Sequence, residues 1–175
     1  STHHLLLVQH DAPHGPRFTI LAMVAETIGR LRDDRGETDA AREAHARAML
    51  EFAESREYAG FRPGHEHEVA ELAVSFHNIT SAIAWFDGRR DIARLVRLVG
   101  ALTWFWYSHG HYSHGLRQFE RVLELEPELD GRAWARFELG RGVLLDLMGR
   151  FHDAREAMLA GLAAYEAAGS LDGAA

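Results

Sequence analysis

The sequence contains no cysteine and no lysine. The lack of cysteine excludes disulfides, thiolate metal sites and thiol nucleophiles, and fits a cytoplasmic setting. The lack of lysine leaves 19 basic side chains, all arginine, beside 26 acidic ones, for a formal net charge of −7. That balance argues against direct nucleic-acid binding by this segment, because phosphate neutralisation needs a clustered positive face. No apolar run approaches the roughly 20 residues of a membrane span, so no membrane partner is expected. "HHLLLVQH" near the start is too short and too polar-flanked for a signal peptide. No G-x-x-x-x-G-K-[ST] phosphate loop and no G-x-S-x-G elbow appears. No cofactor and no catalytic residue is expected.

What remains is a chain of 175 residues, 47% hydrophobic, long enough for one domain with one sizeable core. Its first 21 residues differ from the rest. "LLLVQ" and "RFTIL" are short extended runs around the turn-rich "HDAPHGP", which predicts a β-hairpin. From Met23 onward, apolar residues recur at helical spacing and predict about eight helices over residues 22–175. One is "AMVAETIGRLRDDRGE". The next begins at a Thr38 or Asp39 N-cap, and "GFRPG" at Gly60–Gly64 breaks the chain after it. "RDIARLVRLVGALTWFWYSHG" reads as one continuous helix.

A skeleton repeats within these helices. Gly110, Tyr112, Gly115, Phe119 and Leu123 recur as Gly149, Phe151, Ala154, Met158 and Leu162. Weaker traces start at Gly36 and Gly88. The glycine closes a helix in a left-handed conformation. The aromatic plugs the corner, and the small residue lets the second helix approach the first. The apolar residues that follow face the next pair. One such unit cannot bury its own stripe, so units stack.

These residues resemble the tetratricopeptide pattern. Leu102 and Trp106 stand at its Leu and Tyr positions, and Gly115, Phe119 and Pro127 at its Ala, Phe and Pro positions. In the next frame Gly142, Leu145, Ala154 and Met158 match, whereas Val99 and Glu138 occupy the Trp position. Read in order, "RFTILAMVAETIGRLRDDRGE", "FHNITSAIAWFDGRRD" and "TWFWYSHGHYSHGLRQFERVLEL" are similar to the helical arm of bacterial signal-transducing ATPases that regulate transcription (the LuxR-type, maltose-activator-like and SARP-like groups). The resemblance implies an all-α, right-handed superhelix of helix pairs. It also implies that residues 1–21 are the wing of a truncated winged helix. Residues 22–175 would be a repeat domain truncated at its C-terminus, with the ATPase core outside this segment.

The resemblance further implies that the inner face of each first helix lines a groove. That face carries Arg97, Trp104 and Tyr107, then Arg136, Val143 and Asp146. Aromatic and arginine side chains are common interface anchors. The expected function is therefore non-catalytic binding of a protein partner or small effector, with self-association also allowed. The alternative is a small-molecule receptor with an enclosed pocket near Trp104 and Tyr107. A third reading places a metal on His109, His111 and His114. Their spacing, broken by Gly110, fits a helix corner better than the i, i+4 pairs of helical zinc sites.

Overall fold

The computed structural model describes residues 37–57, 66–125 and 131–169, together with the backbone of residues 6–9 and 17–20. The expected helix from Met23, the "GFRPG" break, Gly36 and Pro127 lie outside these residues. The chain divides into two compact units, Ser1–Ala44 and His45–Ala175. The boundary between these units falls within the first described helix. In the first unit, β1 (Leu6–Gln9) pairs antiparallel with β2 (Arg17–Ile20), Leu6 opposite Ile20 and Gln9 opposite Arg17.

The described part of the second unit is all-α. Helix α1 spans Thr38–Glu54, α2 Glu66–Arg89, α3 Ile92–Ala101, α4 Thr103–Ser108, α5 Tyr112–Leu123, α6 Gly131–Leu147 and α7 Phe151–Ala167. Helix α1 opens on the carbonyl of Glu37, which accepts from the Ala41 N–H at 3.0 Å, so the cap lies one residue before Thr38. No described helix is long and apolar enough to cross a membrane.

The repeat is visible in the boundaries. An offset of 39 residues carries Ile92 onto Gly131, Ser108 onto Leu147 and Tyr112 onto Phe151. The corners of both pairs are built alike. Gly110 (φ 68°) and Gly149 (φ 75°) occupy the left-handed region. The N–H of each glycine donates three residues back, to Tyr107 and Asp146, and the following N–H donates five back, to Trp106 and Leu145. This bond pair satisfies carbonyls that the helix end leaves open.

The third corner corrects the sequence reading, which placed Gly88 there. Gly88 lies within α2, and the turn falls on Arg90 (φ 53°). Arg90 donates to Asp87 and Asp91 to Phe86 in the same three-back, five-back pattern. Asp91 caps α3 by accepting from the Arg94 N–H at 3.2 Å. This cap helps hold a non-glycine residue in a conformation that normally favours glycine.

The expected single helix from residue 91 to 109 is two. Leu102 (φ −89°, ψ 0°) ends α3 and opens α4. The Thr103 hydroxyl donates to the Gly100 carbonyl at 2.8 Å, an alternative partner for that carbonyl at the break. Thr103 also fills the space beside Gly140, where a Cβ would collide with its hydroxyl.

The main core runs through α1 to α6, while Ala154 and Ala157 of α7 join Leu116 and Leu145 in a smaller second cluster. Leu50, Leu72, Ile79, Phe86, Leu98, Leu102, Trp106, Phe119, Phe137 and Leu144 are buried in one cluster. Each contributes roughly 1.5–3 kcal/mol over leaving it in water. Small residues set how closely the helices approach. A Cβ on Gly115 would stand 2.6 Å from the Trp106 ring, and one on Gly142 would stand 2.6 Å from Met158. The stretch "GRG" at 140–142 is therefore a packing device on α6.

Candidate functional site

The six residues expected to share a face occupy equivalent positions on the α3–α4 segment and on α6. The structure brings Trp104, Arg136 and Val143 together in the wall of one small cavity, with Glu57, Gly100, Thr103, Leu139, Gly140 and Tyr165. Its volume is about 150 Å³, its lining is mostly apolar, and it is partly open to solvent. Tyr107 is not part of the wall and is 40% exposed. Its ring meets that of Trp104 edge-on, 5.6 Å between centroids at 71°. Asp146 is exposed and takes no part in the wall.

The four consecutive aromatics are thus sorted by helical phase. Phe105 and Trp106 point into the core, and Phe105 stacks on Phe76 at 5.0 Å. Trp104 and Tyr107, three residues apart, share the opposite side, as i, i+3 neighbours do.

Arg97 stands beside the cavity in an ion-pair clasp. Its Nε and Nη2 donate to the two carboxylate oxygens of Glu54 at 2.9 and 2.7 Å. Arg136, its equivalent one repeat later, donates from Nη1 to Glu57 at 2.7 Å. Arg136 Nη2 reaches Glu54 and the Arg97 carbonyl, each at 3.3 Å. Two arginines on apolar helices are thereby neutralised by Glu54 at the end of α1 and Glu57 in the turn after it. Such charges are tolerated in a half-dry site only when paired. The Arg136 Nε is buried with no hydrogen-bond partner.

The two carboxylates respond in opposite directions. Burial pushes the Glu57 carboxyl up, the nearby Glu54 charge adds to this, and Arg136 only partly offsets them. Glu54 also feels burial, but hydrogen bonds and charge from Arg97 and Arg136 outweigh it and hold the group below the ordinary carboxylate range.

The ligand atoms of His109, His111 and His114 are not gathered within metal-holding distance of one another. His109 Nδ1 lies 3.1 Å from the Phe105 carbonyl, and its ring stacks on that of His111 at 6.1 Å. His114 turns edge-on to Phe76, and burial, with Arg117 and His111 adding to it, lowers its pKa. Among the described residues, the group whose ligand atoms approach closely enough for a metal is His152, Asp153 and Glu156 on the surface of α7. There Asp153 is already engaged by Arg150 at 2.7 Å.

Sequence reasoning missed Glu57, Tyr165 and the glycine–threonine contact. The signal for Glu57 was the pair of equivalent arginines, which demanded acids from elsewhere in the chain. Tyr165 sits on a second helix, whereas only first helices were searched for groove residues. Compared with family models, curated proteins and solved structures, the chain gives no match in any of the three.

Proposed function

We propose that the helical unit is a non-catalytic protein-binding module whose cavity receives one apolar side chain of a partner. The observation that carries this reading is the cavity walled by Trp104, Arg136, Val143 and Tyr165. At about 150 Å³ it has room for a group of benzene size, below the roughly 300–1,000 Å³ of sites that enclose a drug-sized ligand. An anchor side chain surrounded by Trp, Tyr and Arg is the usual form of an interface hot spot. The enclosed-receptor alternative calls for a larger and more closed space. The right-handed superhelix, the wing role of residues 1–21 and the cytoplasmic regulator-arm role belong to the same proposal and rest on the resemblance in sequence. In that setting the module would shift its host between two states, given different partner affinity for each.

A photo-crosslinking aromatic residue in place of Tyr107, in cells that make this protein, tests the reading. The expected result is a discrete protein adduct that Trp104→Ala and Val143→Glu weaken at least tenfold. Tyr107→Ala gives up the edge-on contact with Trp104 and is expected to cost about 0.5–1.5 kcal/mol of stability. Retention of a small molecule in native mass spectrometry without a protein adduct would favour the receptor reading. An adduct indifferent to both cavity substitutions would remove the cavity from the account.

A further inference from the structure

The mostly apolar cavity has one buried carboxyl in its wall. Glu57 is only 4% exposed and is among the lining residues. Its Oε2 accepts from Arg136 Nη1 at 2.7 Å. Its Oε1 accepts no hydrogen bond from the described residues. An ionised carboxylate offers about four lone-pair sites, so a single partner leaves most of them unmet. A buried acceptor in that state costs more than an ordinary hydrogen bond contributes. The lining does not supply the missing donor. The Thr103 hydroxyl gives its proton to the Gly100 carbonyl. Arg136 Nη2 is directed to Glu54 and the Arg97 carbonyl, away from Glu57. Burial pushes the Glu57 carboxyl up and Arg136 only partly offsets this, as expected of a charge short of partners.

The rest of the wall selects by shape. Trp104, Leu139, Val143 and the ring of Tyr165 enclose about 150 Å³, which suits one six-membered ring. A complementary occupant therefore has an aromatic body and a hydrogen-bond donor. An ammonium group fits poorly. It places a second positive charge beside Arg136 and brings three donors to one open acceptor. A phenol is neutral and brings one donor.

We propose that the anchor is a tyrosine of the partner protein, its ring within the Trp104–Val143 wall and its hydroxyl donating to Glu57 Oε1. This sharpens the binding reading above and rests on it, because the cavity must first receive a partner side chain. Phenylalanine or leucine would fill the same space but cut Oε1 off from water without replacing the lost bond. A site with a buried polar group discriminates strongly against occupants that leave it unpaired.

The test titrates the full chain by NMR at about pH 8, where phenols are still neutral. The probes are toluene, the side chain of phenylalanine; p-cresol, that of tyrosine; and p-methylanisole, a methyl ether that cannot donate. Apolar burial alone favours toluene, because a hydroxyl costs free energy to desolvate. The expected order is the reverse, with p-cresol bound at least tenfold more tightly than either other probe, as a hydrogen bond to a charged group allows. In Glu57→Gln, Arg136 retains the amide oxygen and the cavity gains an N–H donor in place of the acceptor. The advantage of p-cresol over p-methylanisole should then be lost, with circular dichroism checking that the variant is folded. Val143→Glu should weaken all the probes together. Toluene bound as tightly as p-cresol by the wild type would overturn the proposal, whether or not the variants fold. So would a p-cresol advantage that survives in folded Glu57→Gln. If a protein adduct still forms at position 107, either result removes the tyrosine and keeps the binding module. A p-cresol preference without any adduct keeps the phenol and overturns its belonging to a protein.

Discussion

Gly115 shows how much of the packing one hydrogen atom decides. A methyl group there would stand 2.6 Å from the buried Trp106 ring and 2.7 Å from Leu144. The Leu144 methyl can swing aside, but the indole is held between Phe119 and the core. Alanine would gain about 1 kcal/mol in helix propensity. Overpacking a tight core costs about 1–3 kcal/mol, so the steric term is expected to dominate. Gly115→Ala should lower the urea midpoint without changing its slope, and a raised midpoint would show that the α4–α5 contact is loose. This residue's role was readable from its place five positions after Gly110. The break at Leu102 was not, because Thr103 owes its position partly to Gly140 on a helix that sequence spacing alone does not bring near.

Three corners use one backbone geometry, and only two of them carry glycine. At Gly149, an added Cβ meets no neighbouring atom within 4 Å, so the cost of Gly149→Ala is conformational, about 1–2 kcal/mol. The reverse change at the exposed Arg90 should stabilise. Arg90→Gly relieves the left-handed strain, offset partly by the greater freedom of glycine in the unfolded chain. The expected net gain is about 0.5–1 kcal/mol, read as a higher melting temperature. A lower one would mean that the Arg90 side chain contributes more than its backbone costs. Helix order and the two glycine corners were legible because they depend on residues near in sequence. Arg90 was hidden because the glycine two positions earlier offered the more familiar signal, and backbone hydrogen bonds decided otherwise.

In the second unit as a whole, the clasp joins α1 to both repeats. Its pH response follows from the two carboxylates. Glu57 is held above the ordinary range, so its contribution is full below that range and is lost as pH rises through the folded value. Glu54 is held below, so its contribution is present above the ordinary range and is lost as pH falls through its folded value. Glu57→Gln removes only the first slope. From about pH 4.5, the ordinary carboxylate region, towards neutrality, the wild type should lose stability relative to the variant. Urea midpoints across that span measure it, and parallel curves for the two proteins would show that Glu57 does not titrate there. The row Arg97–Trp104–Tyr107 and its counterpart Arg136–Val143–Asp146 were legible from helical phase. The acids that neutralise the arginines were not, because they come from a distant part of the chain.

That distance has a kinetic meaning. Most corners and pairings here join residues close in sequence, and such contacts form quickly. The bond from Arg136 to Glu57 closes a loop of 79 residues, and the one to Glu54 a loop of 82. Closing a loop of that length costs about 0.6 kcal/mol more than the 43-residue loop from Arg97 to Glu54, and a pre-assembled α3–α6 seam lowers that cost. Glu57 is also part of the cavity wall. The contact that completes the site is therefore expected to form after the sequence-local pairings. In native-state hydrogen exchange the end of α1 should open before the seam does, and the cavity would lose one side while the repeats beneath it stay folded.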